Sequence, residues 1–129
     1  MDGFARWILS AVSAQPERVP YVRRQVAAVL HLWELDDLAW AVELVVTELV
    51  ANVVRHARTL FSVGLFWNGS VLHGEVSDAD PTLPEPPPDM GPEQTGGRGL
   101  LLVAEIADRW GVARHQRGKT VWFELAPTG

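Results

Sequence analysis

The sequence predicts an α+β fold, and three observations carry it. Apolar residues recur at helical spacing in three segments, they alternate with period two on either side of Asn68-Gly69 and again beside Gly118, and a short apolar run stands near the N-terminus. Together these give three helices and about five strands in one domain, residues 1–129, long enough to bury a single core.

Trp7 to Ser13 is short and partly β-branched, which predicts a first strand. Pro16 and Pro20 open a helix from about Pro16 to Trp33, with Val22, Val26, Val29 and Leu30 on one face. Asp36 or Asp37 is the expected N-cap of a second helix, Leu38 to about His56. Phe61, Val63, Leu65 and Trp67 then alternate into the Asn68-Gly69 turn, and Val71, His73 and Glu75 continue on an antiparallel partner. Six of the nine prolines fall between Pro81 and Pro92, a density that forbids helix and central strand and makes this stretch an extended loop. Glycines at Gly96, Gly97 and Gly99 lead into a third helix, whose Leu100, Val103, Ile106, Ala107 and Trp110 share a face and which Gly111 should end. Val112 to His115 and Lys119 to Leu125 close the chain as a hairpin around Gly118.

Composition narrows the functions. A net charge of −5 disfavours direct binding of nucleic acid, whose phosphates call for a basic surface. No cysteine is present, so there is no thiolate metal site, and no stretch reads as a signal peptide or a membrane span. A soluble, cytoplasmic protein is the expectation. Arg23 and Arg24 read as a solvated helix face, and the histidines at 31, 73 and 115 lack the spacing of metal ligands.

Chemistry concentrates in the second helix. Glu48, Asn52 and His56 stand at i, i+4 and i+8, within roughly 80° of one another at about 100° per residue, bordering the stripe of Val42, Val45, Val46, Leu49 and Val53. Such a polar row beside a core must be satisfied by side chains, water or a bound polar ligand. An amide oxygen suits magnesium, which takes only one or two protein oxygens where phosphates supply others, and a carboxylate one turn away could accept a proton. The glycine-rich entry to the third helix offers unpaired N–H groups and a positive dipole end to phosphate, with Arg98 beside it. Two familiar phosphate motifs fail here. A dinucleotide fingerprint would need glycine at Leu102, and a Walker loop ending at Gly118-Lys119-Thr120 would need one at Ala113.

The order of the parts resembles the GHKL ATP-binding superfamily, the fold of histidine kinase catalytic domains and gyrase, and within it the small bacterial anti-sigma-factor serine kinases. ELVANVVRHA (48–57) resembles the asparagine box, VSDAD (76–80) the first glycine box and TGGRGLLLV (95–103) the second, so that the likeness runs from about Trp7 to Leu125. It implies a two-layer α/β sandwich of Bergerat type, with three helices on one face of a mixed, mainly antiparallel sheet. It further implies ATP and Mg2+ as ligands, Glu48 as general base, Asn52 as the magnesium ligand and His56 near the phosphates. Asp78 would accept the adenine amino group, Gly97, Arg98, Gly99 and Leu100 would approach the phosphates, Thr120 would support the adenine pocket, and residues 79–96 would form a lid. One departure stands out: the first glycine box should read D-x-G, and Asp80 occupies the glycine position.

The implied role is a serine/threonine protein kinase that phosphorylates a small antagonist protein and sequesters a sigma factor, with homodimerisation as a family trait. Two alternatives stay open: an ATP-dependent protein-binding module without phosphotransfer, and the catalytic piece of a split histidine kinase.

Overall fold

The computed structural model describes residues 3–80 and 98–127. Its elements run β1 (Ala5–Val12), α1 (Arg18–Leu32), α2 (Asp36–Asn52), a single π turn (Val53–Ala57), β2 (Phe61–Trp67), β3 (Leu72–Asp78), α3 (Arg98–Ile106), β4 (Arg109–His115) and β5 (Gly118–Leu125). The α+β class, the three helices and the five strands stand as expected. The strand order is β1-β2-β3-β5-β4, and every pairing is antiparallel, so the sheet is not mixed. None of the described helices is long and apolar enough to cross a membrane.

One sheet face makes the core, and its cross-strand rows show why. Trp67, Leu72 and Leu125 align, then Leu65, Gly74 and Phe123, then Val63, Val76 and Val121, and lastly Phe61, Asp78 and Lys119. All these side chains are buried. The helices close over this face with Val22, Val26 and Leu30 from α1, and with Leu38, Val42, Val45, Val46, Leu49 and Val50 from α2. The other face carries Phe66, His73, Glu75, Trp122 and Glu124, all half-buried. Of the tryptophans, Trp33 and Trp67 are core residues, whereas Trp40 is 72% exposed.

Three local readings need correction. The junction between α1 and α2 is a Schellman closure: Leu35 N–H donates to Leu30 O (2.8 Å) and Glu34 N–H to His31 O (3.0 Å), with Glu34 left-handed at φ 60°. Buried Leu35 therefore becomes the N-cap, and Asp36 and Asp37 fall in the first turn of α2, where their charge favours the helix dipole but caps nothing. Second, the α-helix stops at Asn52, not His56. The last turn is π, with Arg58 N–H donating to Val53 O at 2.8 Å and Arg58 left-handed at φ 56°. Third, α3 ends at Ile106. Asp108 N–H donates to Glu124 O, which starts the β4–β5 ladder early, and Trp110 and Gly111 pair with Phe123 and Trp122 instead of closing a helix. Gly111 serves contact there, since a β-carbon would meet the Trp122 ring at 2.8 Å.

Candidate functional site

The candidate site collects at one end of the sheet, where α2 runs into its π turn and β3 and β5 pair at their last core row. The Ala79 N–H donates to Thr59 Oγ1 at 2.9 Å, tying the end of β3 to the segment that leaves the π turn. Phe61, at the start of β2, pairs with Asp78, so the exit from α2 and the end of β3 are held in register.

On α2, Glu48 and Asn52 are half-buried, as the edge of a core stripe requires. Glu48 has no hydrogen bond or ion pair among the described residues. Asn52 Oδ1 accepts from Arg55 Nη2 at 2.7 Å. The π turn moves the residues after Asn52 out of the i, i+4, i+8 line, and His56 is exposed. Thr47, which the helical wheel puts on the solvated side, is half-buried, with its hydroxyl enclosed and unpartnered.

Asp78 ends β3 as a buried carboxylate. Its Oδ1 accepts from Lys119 Nζ at 3.0 Å and from the Asp80 N–H at 2.8 Å, and Lys119 Nζ also donates to the Asp80 carbonyl at 2.9 Å. Asp78 Oδ2 accepts nothing among the described residues. The neighbouring turn is sterically closed: Gly118 has φ 147°, and a β-carbon on it would collide with the Asp78 carbonyl.

Thr120 is not brought to this site. It pairs with Ser77 on the opposite sheet face, where its hydroxyl meets Ser77 Oγ at 2.7 Å and His115 Nε2 at 3.3 Å. The β5 residue that faces Asp78 is Lys119. Arg98 and Gly99 form the first backbone turn of α3, and Leu100 packs on the core beside it. Gly97 and all of the expected lid except Ala79 and Asp80 lie outside the described residues.

The model of the histidine kinase-like ATPase domain matches residues 12–125, which spans both α2 and the Asp78 turn. The chain belongs to this family. No curated protein sequence matches it significantly. Among solved structures, this ATPase domain is similar to the RsbU and RsbW domains of Rv1364c from Mycobacterium tuberculosis, with TM-score 0.70 and 14% identity over 95% of this chain and 32% of that one. A histidine kinase domain, that of the blue-light activated histidine kinase EL346 from Erythrobacter litoralis, matches with TM-score 0.51 and 19% identity over 84% of this chain and 61% of that one. The chain thus spans about a third of the first structure, and at these identities the likeness is one of fold.

Two groups at the candidate site are not among those the sequence predicts. Arg55, on the outward side of the helical wheel, is long enough to reach back to Asn52. Lys119, at the start of the last predicted strand, stands in phase with Val121, Phe123 and Leu125, the inward positions of β5. That alternation was the available signal. At the α1–α2 junction, the hydrogen bond between His31 Nδ1 and Asp36 Oδ1 (2.8 Å), then their mutual charge, raises the imidazole above its ordinary 6.5. The same hydrogen bond lowers Asp36 below 3.8.

Proposed function

We propose that this ATPase domain binds ATP between α2, the Asp78 turn and the start of α3, and transfers the γ-phosphoryl group to a serine of a small antagonist protein, as an anti-sigma-factor-type kinase. The observation that carries the reading is Asp78: a buried carboxylate at the end of a core strand, neutralised on one oxygen and left with an open acceptor on the other. Such an acceptor suits an exocyclic amino group and disfavours a carbonyl.

The residues of α2 give the transfer its chemistry. Glu48, free of partners among the described residues, would take the proton from the serine hydroxyl as its oxygen bonds to the γ-phosphorus and the bridging bond to the β-phosphate breaks. The backbone N–H groups that open α3 would offset charge on the transferring group. Asn52 fits magnesium by its donor chemistry: its oxygen is a hard ligand and already faces a cation, the Arg55 guanidinium. Magnesium, when bound there, would supply neutralisation of the phosphate charge.

That same Arg55 contact favours a second reading, an ATP-dependent binding module that does not transfer phosphate. Glu48→Gln separates the two. The kinase reading expects ATP affinity to persist while phosphate incorporation into the antagonist, followed with γ-labelled ATP, falls by at least about a hundredfold, the usual range for loss of a general base. Unchanged control of the partner by that variant would refute transfer. Absence of ATP binding to the wild-type chain at millimolar nucleotide would refute both.

A further inference from the structure

Lys119 is a buried cation at the proposed nucleotide pocket, with a side chain 8% exposed against 4% for Asp78. An uncompensated charge in either place would be strongly disfavoured, so the pair is held together. It also organises its surroundings. Through its two hydrogen bonds, Lys119 grips the Asp78 carboxylate and the Asp80 carbonyl at once, and the Asp80 N–H closes the turn back onto Asp78. Residue 80 thus has its N–H and its C=O fixed by groups outside its own side chain.

We propose that Lys119 is a specificity-determining residue for the base of the nucleotide, an inference that rests on the ATP-binding reading above. Oδ1 of Asp78 is occupied by Lys119 and by the Asp80 N–H, which turns Oδ2 into the acceptor offered to a ligand. An ammonium carries three N–H donors, and two of those on Lys119 are spent on Asp78 and Asp80. The third has no partner among the described residues and is left for a ligand held at Oδ2. Acceptor and donor side by side match the edge of adenine, where the amino group donates and the adjacent ring nitrogen N1 accepts. Guanine presents the inverse pair, a carbonyl oxygen beside an N–H, and meets a like group at both positions. Lys119 therefore acts twice: it aims Asp78, and it contacts the ring itself. It also holds the Asp78–Ala79–Asp80 turn in shape without a glycine at residue 80.

The test compares ATP and GTP binding by calorimetry, in magnesium, for the wild-type chain, Lys119→Met and Lys119→Arg. Leaving a buried carboxylate and a base nitrogen unpaired costs about tenfold to a hundredfold in affinity, so Lys119→Met should weaken ATP by that factor and shrink the ATP-to-GTP preference by about tenfold. Lys119→Arg, which keeps charge and donors, should retain most of the preference. Equal weakening of ATP and GTP, or wild-type affinities in Lys119→Met, would overturn the proposal. Wild-type protein that binds ATP and GTP equally would overturn it too, while leaving nucleotide binding intact. Wild-type protein that binds neither removes the reading beneath it. Because Lys119→Met also strands a buried charge and could fail to fold, a second measurement uses the unaltered chain. The Lys119 Nζ resonance in nitrogen-15-labelled protein should shift on saturation with ATP and not with GTP, and an unmoved resonance in the ATP-bound protein would refute the contact.

Discussion

Gly74→Ala is the substitution whose cost can be worked most directly from the structure. Gly74 lies between Leu65 and Phe123 in a core row, and Phe123 is fully buried. A methyl group on residue 74 would stand 2.7 and 2.9 Å from Phe123 Cε1 and Cε2 and closer still to Cζ. Carbon atoms in good contact sit about 3.5–4.0 Å apart, so the ring would have to retreat by roughly 1 Å. Overpacking of this kind costs about 1–3 kcal/mol, and with three ring atoms in collision the upper end applies, about 3 kcal/mol. Urea unfolding followed by tryptophan fluorescence measures it. A partial rescue checks the cause. Phe123→Leu removes the ring and alone costs roughly 1–2 kcal/mol, less than the ~3–5 kcal/mol typical of Phe→Ala. The double variant should then be more stable than the sum of the singles by at least ~1 kcal/mol. Additive losses, or a cost below ~0.5 kcal/mol for Gly74→Ala, would refute the argument that the glycine exists to admit the ring.

Two further outcomes follow from the polar contacts. Arg55→Ala frees Asn52 Oδ1, and an exposed pair of this kind is worth about 0.5–1 kcal/mol, so the magnesium concentration needed for half-maximal ATP binding should fall by about two- to fivefold; a requirement unchanged or raised would show that this oxygen is not the ligand. For His31, the proton NMR titration should give a midpoint above 6.5 that returns toward 6.5 in Asp36→Asn. A raised imidazole stabilises the fold fully below its unfolded value of 6.5 and loses that contribution as pH climbs through the folded midpoint, while the lowered Asp36 contributes above 3.8 and fades as pH falls through its own. The pair should therefore help most between about pH 4 and 6.5, and only slightly, since both side chains are largely exposed.

What the sequence made legible, and what it hid, divides along a physical line. The β2–β3 hairpin could be read because alternation and turn chemistry agree: Asn68 Oδ1 accepts from the Ser70 and Val71 N–H groups, the contact an asparagine in that turn is there to make. The stripe of α2 was equally plain, because burial and period coincide from Leu38 to Val50. The π turn was not, since Val53 to Ala57 continues the same apolar period, and only tertiary ties such as Thr59 to Ala79 favour the wider turn. Ala107 to Trp110 kept a helical pattern, yet the ladder to β5 overrode it. Of the candidate site, Glu48 and Asn52 stand out by their chemistry and Asp78 through the family resemblance alone, whereas Lys119 stays hidden because a charge at an inward strand position looks like an error until its partner is known. That partner lies 41 residues away in sequence and directly across the sheet. A buried cation in the phase of a core strand predicts a buried anion on the neighbouring strand, because neither charge is tolerated there alone. Lys119, in phase with Val121 and Phe123, therefore calls for an acid at a matching inward position of β3. Asp78 is the carboxylate that falls in that phase, so alternation and charge balance together locate the pair before any contact is seen.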